Sequence, residues 1–182
     1  KPLTIIFVIS IFLYVLIEQS FQTWFPTFYT DIIKVPPSMA VQASAILGGA
    51  FMIGRFLGGF ILNKMKWITL LTDTTQTVGL ITWANAPLVV YLMPLIGLFL
   101  APVYPTINST ILSSLPKHMH SSMAGLIVVF SALGGTTGSI ITGNVFEKYD
   151  GSTAFYLSLI PLTGILITIW ILYMMTKKSI PE

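Results

Sequence analysis

The feature that most constrains this chain is the length of its apolar runs. A helix needs about 20 mainly apolar residues to cross the hydrocarbon core of a bilayer. Six stretches near or beyond that length follow one another, at about residues 3–29, 41–62, 67–84, 88–115, 122–146 and 153–175. The breaks between them are short and polar: Asp31 to Pro37, Asn63-Lys64-Met65-Lys66, Asn85-Ala86-Pro87, Pro116 to His120, and Glu147 to Gly151. Such a pattern predicts an all-α membrane protein with six transmembrane helices.

Composition closes off the alternatives. Only 8% of the 182 residues are charged, against about 25% in an average soluble domain. The mean hydropathy is +0.86, more apolar surface than a soluble core of this size can hide. A net charge of +3 is too weak a bias to argue for nucleic acid as a partner. With no cysteine in the sequence, disulfide frameworks, thiolate zinc sites and thiol chemistry are excluded. His118 and His120 stand two apart in a charged break, not at the four-residue spacing of a helical zinc pair, so neither a metal nor a cofactor is expected. Lys1-Pro2 enters the first apolar stretch without an initiator Met, a basic leader or a cleavage site. The chain therefore reads as a segment of a longer protein.

Charge also sets an expected orientation. With the N-terminus cytoplasmic, one side of the membrane receives seven basic residues, namely Lys1, Arg55, Lys64, Lys66, Lys117, Lys177 and Lys178, and the other receives only Lys34 and Lys148. This follows the positive-inside rule and puts both termini in the cytoplasm of a multi-pass protein.

A weak internal echo suggests two repeats of three helices. Phe25-Pro26-Thr27 returns as Tyr104-Pro105-Thr106 after 79 residues, and Gly54-x-x-x-Gly58-x-x-Ile61 returns as Gly134-x-x-x-Gly138-x-x-Ile141 after 80. Transporter halves carry symmetry of this kind. On this reading residues 1–182 form a single six-helix domain, with one repeat at about 1–84 and the second at about 85–182.

Three ionisable residues fall inside spans: Glu18, Arg55 and Asp73. A charge at the bilayer centre costs at least about 2.5–3.5 kcal/mol, so each requires a partner or a function. Glu18 lies 15 residues into the first span, near the bilayer centre at about 1.5 Å per residue. Gln22, Phe25 and Tyr29 follow it on one stripe, with Trp24 beside them. An acid, an amide and aromatic rings suit a polyhydroxylated ligand, since amide and carboxyl groups bond hydroxyls and a Trp face stacks on the C–H face of a sugar ring. Trp24 and Tyr29 also fit an interfacial aromatic belt, and Glu18 also fits an interhelical hydrogen bond or a proton-coupling group. Arg55 and Asp73 have similar depths in antiparallel helices, about 12 and 9 Å from one end by helical rise, so the expectation is that they pair in a structural or gating role. In the fourth span Pro94, Pro102 and Pro105 free backbone carbonyls around Tyr104 and Asn108, a second candidate cavity wall. The fifth span is rich in glycine, including Gly134, Gly135, Gly138 and Gly143, which predicts close helix packing within the chain or against an absent partner.

Six helices in three-plus-three, Gly54-Arg55-Phe56-Leu57-Gly58-Gly59 ahead of Lys64-Met65-Lys66, and Tyr104-Pro105-Thr106 together resemble the C-terminal half of a major facilitator superfamily transporter. Phe12-Leu13-Tyr14-Val15-Leu16-Ile17-Glu18 and Trp24 are most similar to the fucose:proton symporter branch, which handles sugars. The resemblance implies half of a twelve-helix protein whose partners are the lipid bilayer, a missing N-terminal six-helix half, a small-molecule substrate and protons. It also implies substrate contact by Glu18, Gln22, Trp24, Tyr104 and Asn108, and a gate motif of Gly54, Arg55 and Gly58. The loop after the second span lacks the second Arg of that motif. The expected activity is secondary transport of a small polar solute, a sugar foremost, by alternating access with proton coupling. A drug or organic-ion antiporter of the same superfamily is the alternative, with a channel or non-transporting scaffold behind it. An intramembrane serine protease is disfavoured, because both histidines lie in a loop and no G-x-S-x-G motif occurs.

Overall fold

The computed structural model describes residues 2–61 and 93–177, and every regular element within them is helical. Helix α1 spans Pro2–Asp31 and α2 spans Pro37–Ile61. A short 3₁₀ turn at Met93–Leu95 leads into α3, Ile96–Leu100, and α4 covers Val103–Ser114. After a second turn at Lys117–Met119 come α5, His120–Lys148, α6, Gly151–Leu157, and α7, Leu159–Lys177. Among the described residues four stretches are long and apolar enough to cross a membrane: Leu3–Asp31, Pro37–Leu57, Met93–Ser114 and Lys117–Lys148. They correspond to the first, second, fourth and fifth expected spans, which makes the chain an integral multi-pass membrane protein. The third expected span, 67–84, lies outside the described residues, as does the Lys64 and Lys66 cluster.

The breaks have identifiable causes. Pro102 and Pro105 carry no N–H, so the carbonyls of Leu98 and Ala101 lose their helical donors and the hydrogen-bond ladder lapses between α3 and α4. The backbone stays helical across the lapse, with Ala101 at φ −58°, ψ −40° and Pro102 at φ −67°, ψ −20°, so the two pieces form one interrupted span. The sixth expected span divides in the same way at Ser158, four residues after Ala154 and three before Pro161, whose missing donor strands the carbonyl of Leu157. Its apolar helical run, Leu159–Leu172, is shorter than the four spans above.

Helix α1 is the hub. It packs most extensively on α5, then on α7 and α2, and it supplies Phe7, Ile11, Tyr14, Ile17, Phe21 and Phe25 to the core. Between apolar helices in lipid, close backbone approach must supply much of the adhesion. Glycine allows it at two seams. A Cβ on Gly134 or Gly138 of α5 would collide with the carbonyl oxygens of Phe12 and Leu16 in α1. A Cβ on Gly54 of α2 would come within 2.6 Å of the Leu98 carbonyl oxygen in α3, and one on Gly97 within 2.9 Å of the Leu47 carbonyl oxygen in α2. Gly54 and Gly134, the echoing pair 80 residues apart, thus do equivalent work against helices from opposite halves of the chain. The glycine face of α5 that could have met an absent partner is occupied by α1. The flanks of α2 and α5 that stay open are apolar, with Val41, Met52, Phe56, Val128 and Ile140 exposed.

Candidate functional site

Glu18 sits midway along α1 and is 5% exposed. A carboxylate so enclosed requires a counter-charge or hydrogen-bond donors, and it has both. Arg55 Nη2 of α2 donates to Glu18 Oε1, and Gln22 Nε2, one turn along α1, donates to the same oxygen at 3.1 Å. The Arg55 guanidinium also stands 5.9 Å from the centre of the Phe51 ring, within cation–π range. Arg55 was expected to pair with Asp73, which lies outside the described residues. The partner the structure gives it is Glu18.

The ion pair is lopsided. The Glu18 side chain is 7% exposed and the Arg55 side chain 46%. Arg55 borders a cleft of about 480 Å³ whose walls include Gln22, Ser44, Leu47, Phe51 and Met52. The carboxylate is set behind this cleft and the cation faces into it. Ser44 Oγ donates to the Ala40 carbonyl at 2.8 Å, which leaves the hydroxyl oxygen free to accept from a solute.

A second polar strand of the site runs from α1 to α4. The Tyr14 ring, fully buried one turn before Glu18, lies 5.6 Å from the Tyr104 ring, and Tyr104 Oη is 3.4 Å from Ser131 Oγ of α5. Asn108 Oδ1 is buried and finds no hydrogen-bond partner among the described residues, while the buried Tyr14 hydroxyl faces Glu18 and Arg55. An orphaned polar atom is costly in so apolar a setting. Tyr104 and Asn108 share α4, with Tyr104 against Tyr14 of α1 and Ser131 of α5 and one Asn108 oxygen unpaired.

Other expected members of the site are elsewhere. Trp24 turns to α5, where its Nε1 donates to the Ser139 carbonyl at 2.9 Å, its ring stacks 5.4 Å from Phe146, and Gly143 gives it room. Phe25 and Tyr29, expected on the cavity wall, are fully buried with their ring centres 4.6 Å apart. Gly54 serves the α2–α3 seam; the surroundings of Gly58 lie outside the described residues. Sequence reasoning missed Tyr14 and Phe51. The four-residue spacing of Tyr14, Glu18 and Gln22, and of Phe51 and Arg55, is the signal that could have found them. A further cavity of about 520 Å³, with Leu13, Leu16, Ser20, Thr142 and Pro161 on its walls, lies between α1, α5 and the α6–α7 break and is mostly apolar.

Comparison with known proteins agrees with this architecture. TsgA homologues from three strains of Buchnera aphidicola subsp. Acyrthosiphon pisum are 27% identical over 178 residues, covering 93% of this chain and 45% of theirs. The chain thus spans about half the length of these curated relatives. The in meso crystal structure of the POT family transporter PepTSo superposes with a TM-score of 0.77 at 12% identity, over 93% of this chain and 37% of that one, a likeness of fold. The profile of the Major Facilitator Superfamily matches residues 1–139. Apolar helices of spanning length, glycine seams, an intramembrane ion pair and a match over most of the sequence thus lead to one conclusion: the chain belongs to the major facilitator superfamily, a family of membrane transporters and not of enzymes.

Proposed function

We propose that this chain is the C-terminal six-helix half of a secondary active transporter, built as two repeats at about 1–84 and 85–182. It moves a small polar solute, a sugar foremost, by rocking against an N-terminal six-helix half, with protons as the coupling ion. Both termini face the cytoplasm of a bacterial inner membrane. The observation that carries the reading is the Glu18–Arg55 pair, with Gln22 attached, at the edge of an open cleft. Alternating access needs a midplane site between moving halves, and an intramembrane acid held by a breakable partner suits a coupling group. Gln22, Tyr104 and Asn108 are assigned to the solute, and Glu18, set behind the cleft, to the proton. Trp24, whose ring is engaged by Ser139 and Phe146, is assigned to helix packing.

Leu47, Phe51 and Met52 on the cleft wall favour the second reading, a drug or organic-ion antiporter. Uptake by the full-length protein in proteoliposomes, measured with sugars and with lipophilic cations, separates the two. Proton-driven accumulation of a polar solute that is lost in Glu18→Gln at normal expression is the expected result. Efflux of a lipophilic dye that no polar solute inhibits refutes the proposal.

A further inference from the structure

A solute entering the cleft meets a cation, because the carboxylate that balances it is hidden. Arg55 is the sequence's only arginine. Its side chain is 46% exposed against 7% for Glu18, and its bond through Nη2 to Glu18 uses one of five N–H donors in a planar fork. That fork matches a carboxylate in two-point geometry. Around it the cleft offers hydroxyl-binding groups: the Ser44 oxygen and the amide of Gln22, which spends one N–H on Glu18. The Glu18 carboxylate is set behind the cleft, so the charge that a solute meets there is positive.

We infer that the solute is itself an anion, a polyhydroxylated monocarboxylate of the sugar-acid class, whose carboxylate takes over the guanidinium of Arg55 from Glu18. The inference rests on the transport function proposed above and names the substrate class of that site. It fixes the proton stoichiometry by charge balance. When the solute's carboxylate occupies Arg55, Glu18 is left enclosed without a counter-charge, a costly state. One proton from solution on the Glu18 carboxyl removes the cost. When the solute leaves on the other side, that proton leaves and Arg55 returns to Glu18, so one proton crosses with each monoanion and no net charge moves. The ionisable groups facing Glu18 among the described residues are Arg55 from α2, Tyr14 on α1 and, behind Tyr14, Tyr104 from α4. The ionisable residues of α5 are at its ends, His120, Glu147 and Lys148, and α7 has Tyr173 and Lys177 near its C-terminus. Asp73 lies outside the described residues.

The test uses the full-length transporter in proteoliposomes with D-glucuronate and D-glucose, which differ only in a carboxylate for a hydroxymethyl group. Glucuronate should enter at least about tenfold faster at equal concentration, the scale of one charge-assisted interaction. A pH gradient should drive it, and a potassium–valinomycin potential should not. Arg55→Lys should keep the charge but lose most of the preference, and the double variant Glu18→Gln/Arg55→Gln, which leaves no unpaired charge, should abolish it; both are checked for monodisperse expression. Glucose entering as fast as glucuronate overturns the inference and leaves the sugar-transport reading standing. So does glucuronate uptake that responds to the potential. Uptake of neither probe overturns both readings.

Discussion

Gly54→Ala isolates the α2–α3 seam that fixes the height of Arg55. A Cβ at residue 54 would lie 2.6 Å from the Leu98 carbonyl oxygen and 2.8 Å from Ala101 Cβ, where ordinary contact begins near 3.4 Å. The two helices must therefore part by roughly 0.6–0.8 Å, a gap that forfeits a quarter to a half of each dispersion contact along the seam. The expected penalty is about 1–3 kcal/mol of overpacking, partly masked by the gain of up to about 1 kcal/mol that alanine brings to a helix interior. Gly49 supplies the control. It lies in the same helix with nothing among the described residues within 4 Å of its would-be Cβ, so Gly49→Ala collects the propensity gain. The difference between the two variants is then the overpacking term, about 1–3 kcal/mol. Unfolding of the purified full-length protein by an SDS titration in detergent micelles, followed by tryptophan fluorescence, measures both. Equal midpoints for the two variants refute the seam. Since Arg55 is the next residue, Gly54→Ala should also reduce transport in a membrane reconstitution.

The ion pair makes an asymmetric prediction, because its partners differ in exposure. Arg55→Gln strands an enclosed carboxylate and should cost about 3–5 kcal/mol, whereas Glu18→Gln leaves an arginine that reaches the cleft and should cost much less; the double variant should resemble Glu18→Gln, and strict additivity in the same SDS titration rules the pairing out. Trp24→Phe removes the bond to the Ser139 carbonyl and should lower stability by about 1 kcal/mol while leaving the half-saturation for solute unchanged; a shifted half-saturation with intact stability returns Trp24 to the binding site. Lys34, in the turn after α1, has φ 62°, a conformation glycine adopts freely, so Lys34→Gly should hold or raise stability, by at most about 1 kcal/mol, read from the thermal midpoint. A clear drop in that midpoint counts against the turn.

The Arg55 assignment shows where sequence reasoning stops. Depth along helix axes pointed to Asp73, because backbone rise was the only measure to hand. By the same arithmetic Glu18 is 13 residues before the end of α1 at Asp31 and Arg55 is 18 after the start of α2 at Pro37, an offset of five residues, or about 7.5 Å of rise. The long arginine stem covers that offset, and a backbone count has no term for it. Trp24 fails for a different reason. It is next to the Glu18–Gln22 stripe in sequence, yet two residues along a helix turn a side chain by about 200°, and only the position of α5 shows what waits there. The proline interruption of the fourth span, by contrast, was legible, since a missing N–H is a property of the residue itself.

Crossing a membrane is close to a one-dimensional problem: the length of an apolar run is compared with the thickness of the bilayer, and the cost of a charge depends on its depth. For that reason the sequence alone determined the spans that the structure describes, the membrane setting, and the short set of residues, Glu18 and Arg55 among them, that needed explaining. Which helix face meets which neighbour depends on rotation and relative height, and these are set by contacts between residues far apart in sequence. Only the tertiary structure could decide that Gly134 and Gly138 seat α5 on α1, that Trp24 is held by α5, and that Glu18 lies enclosed while its arginine looks into the cleft.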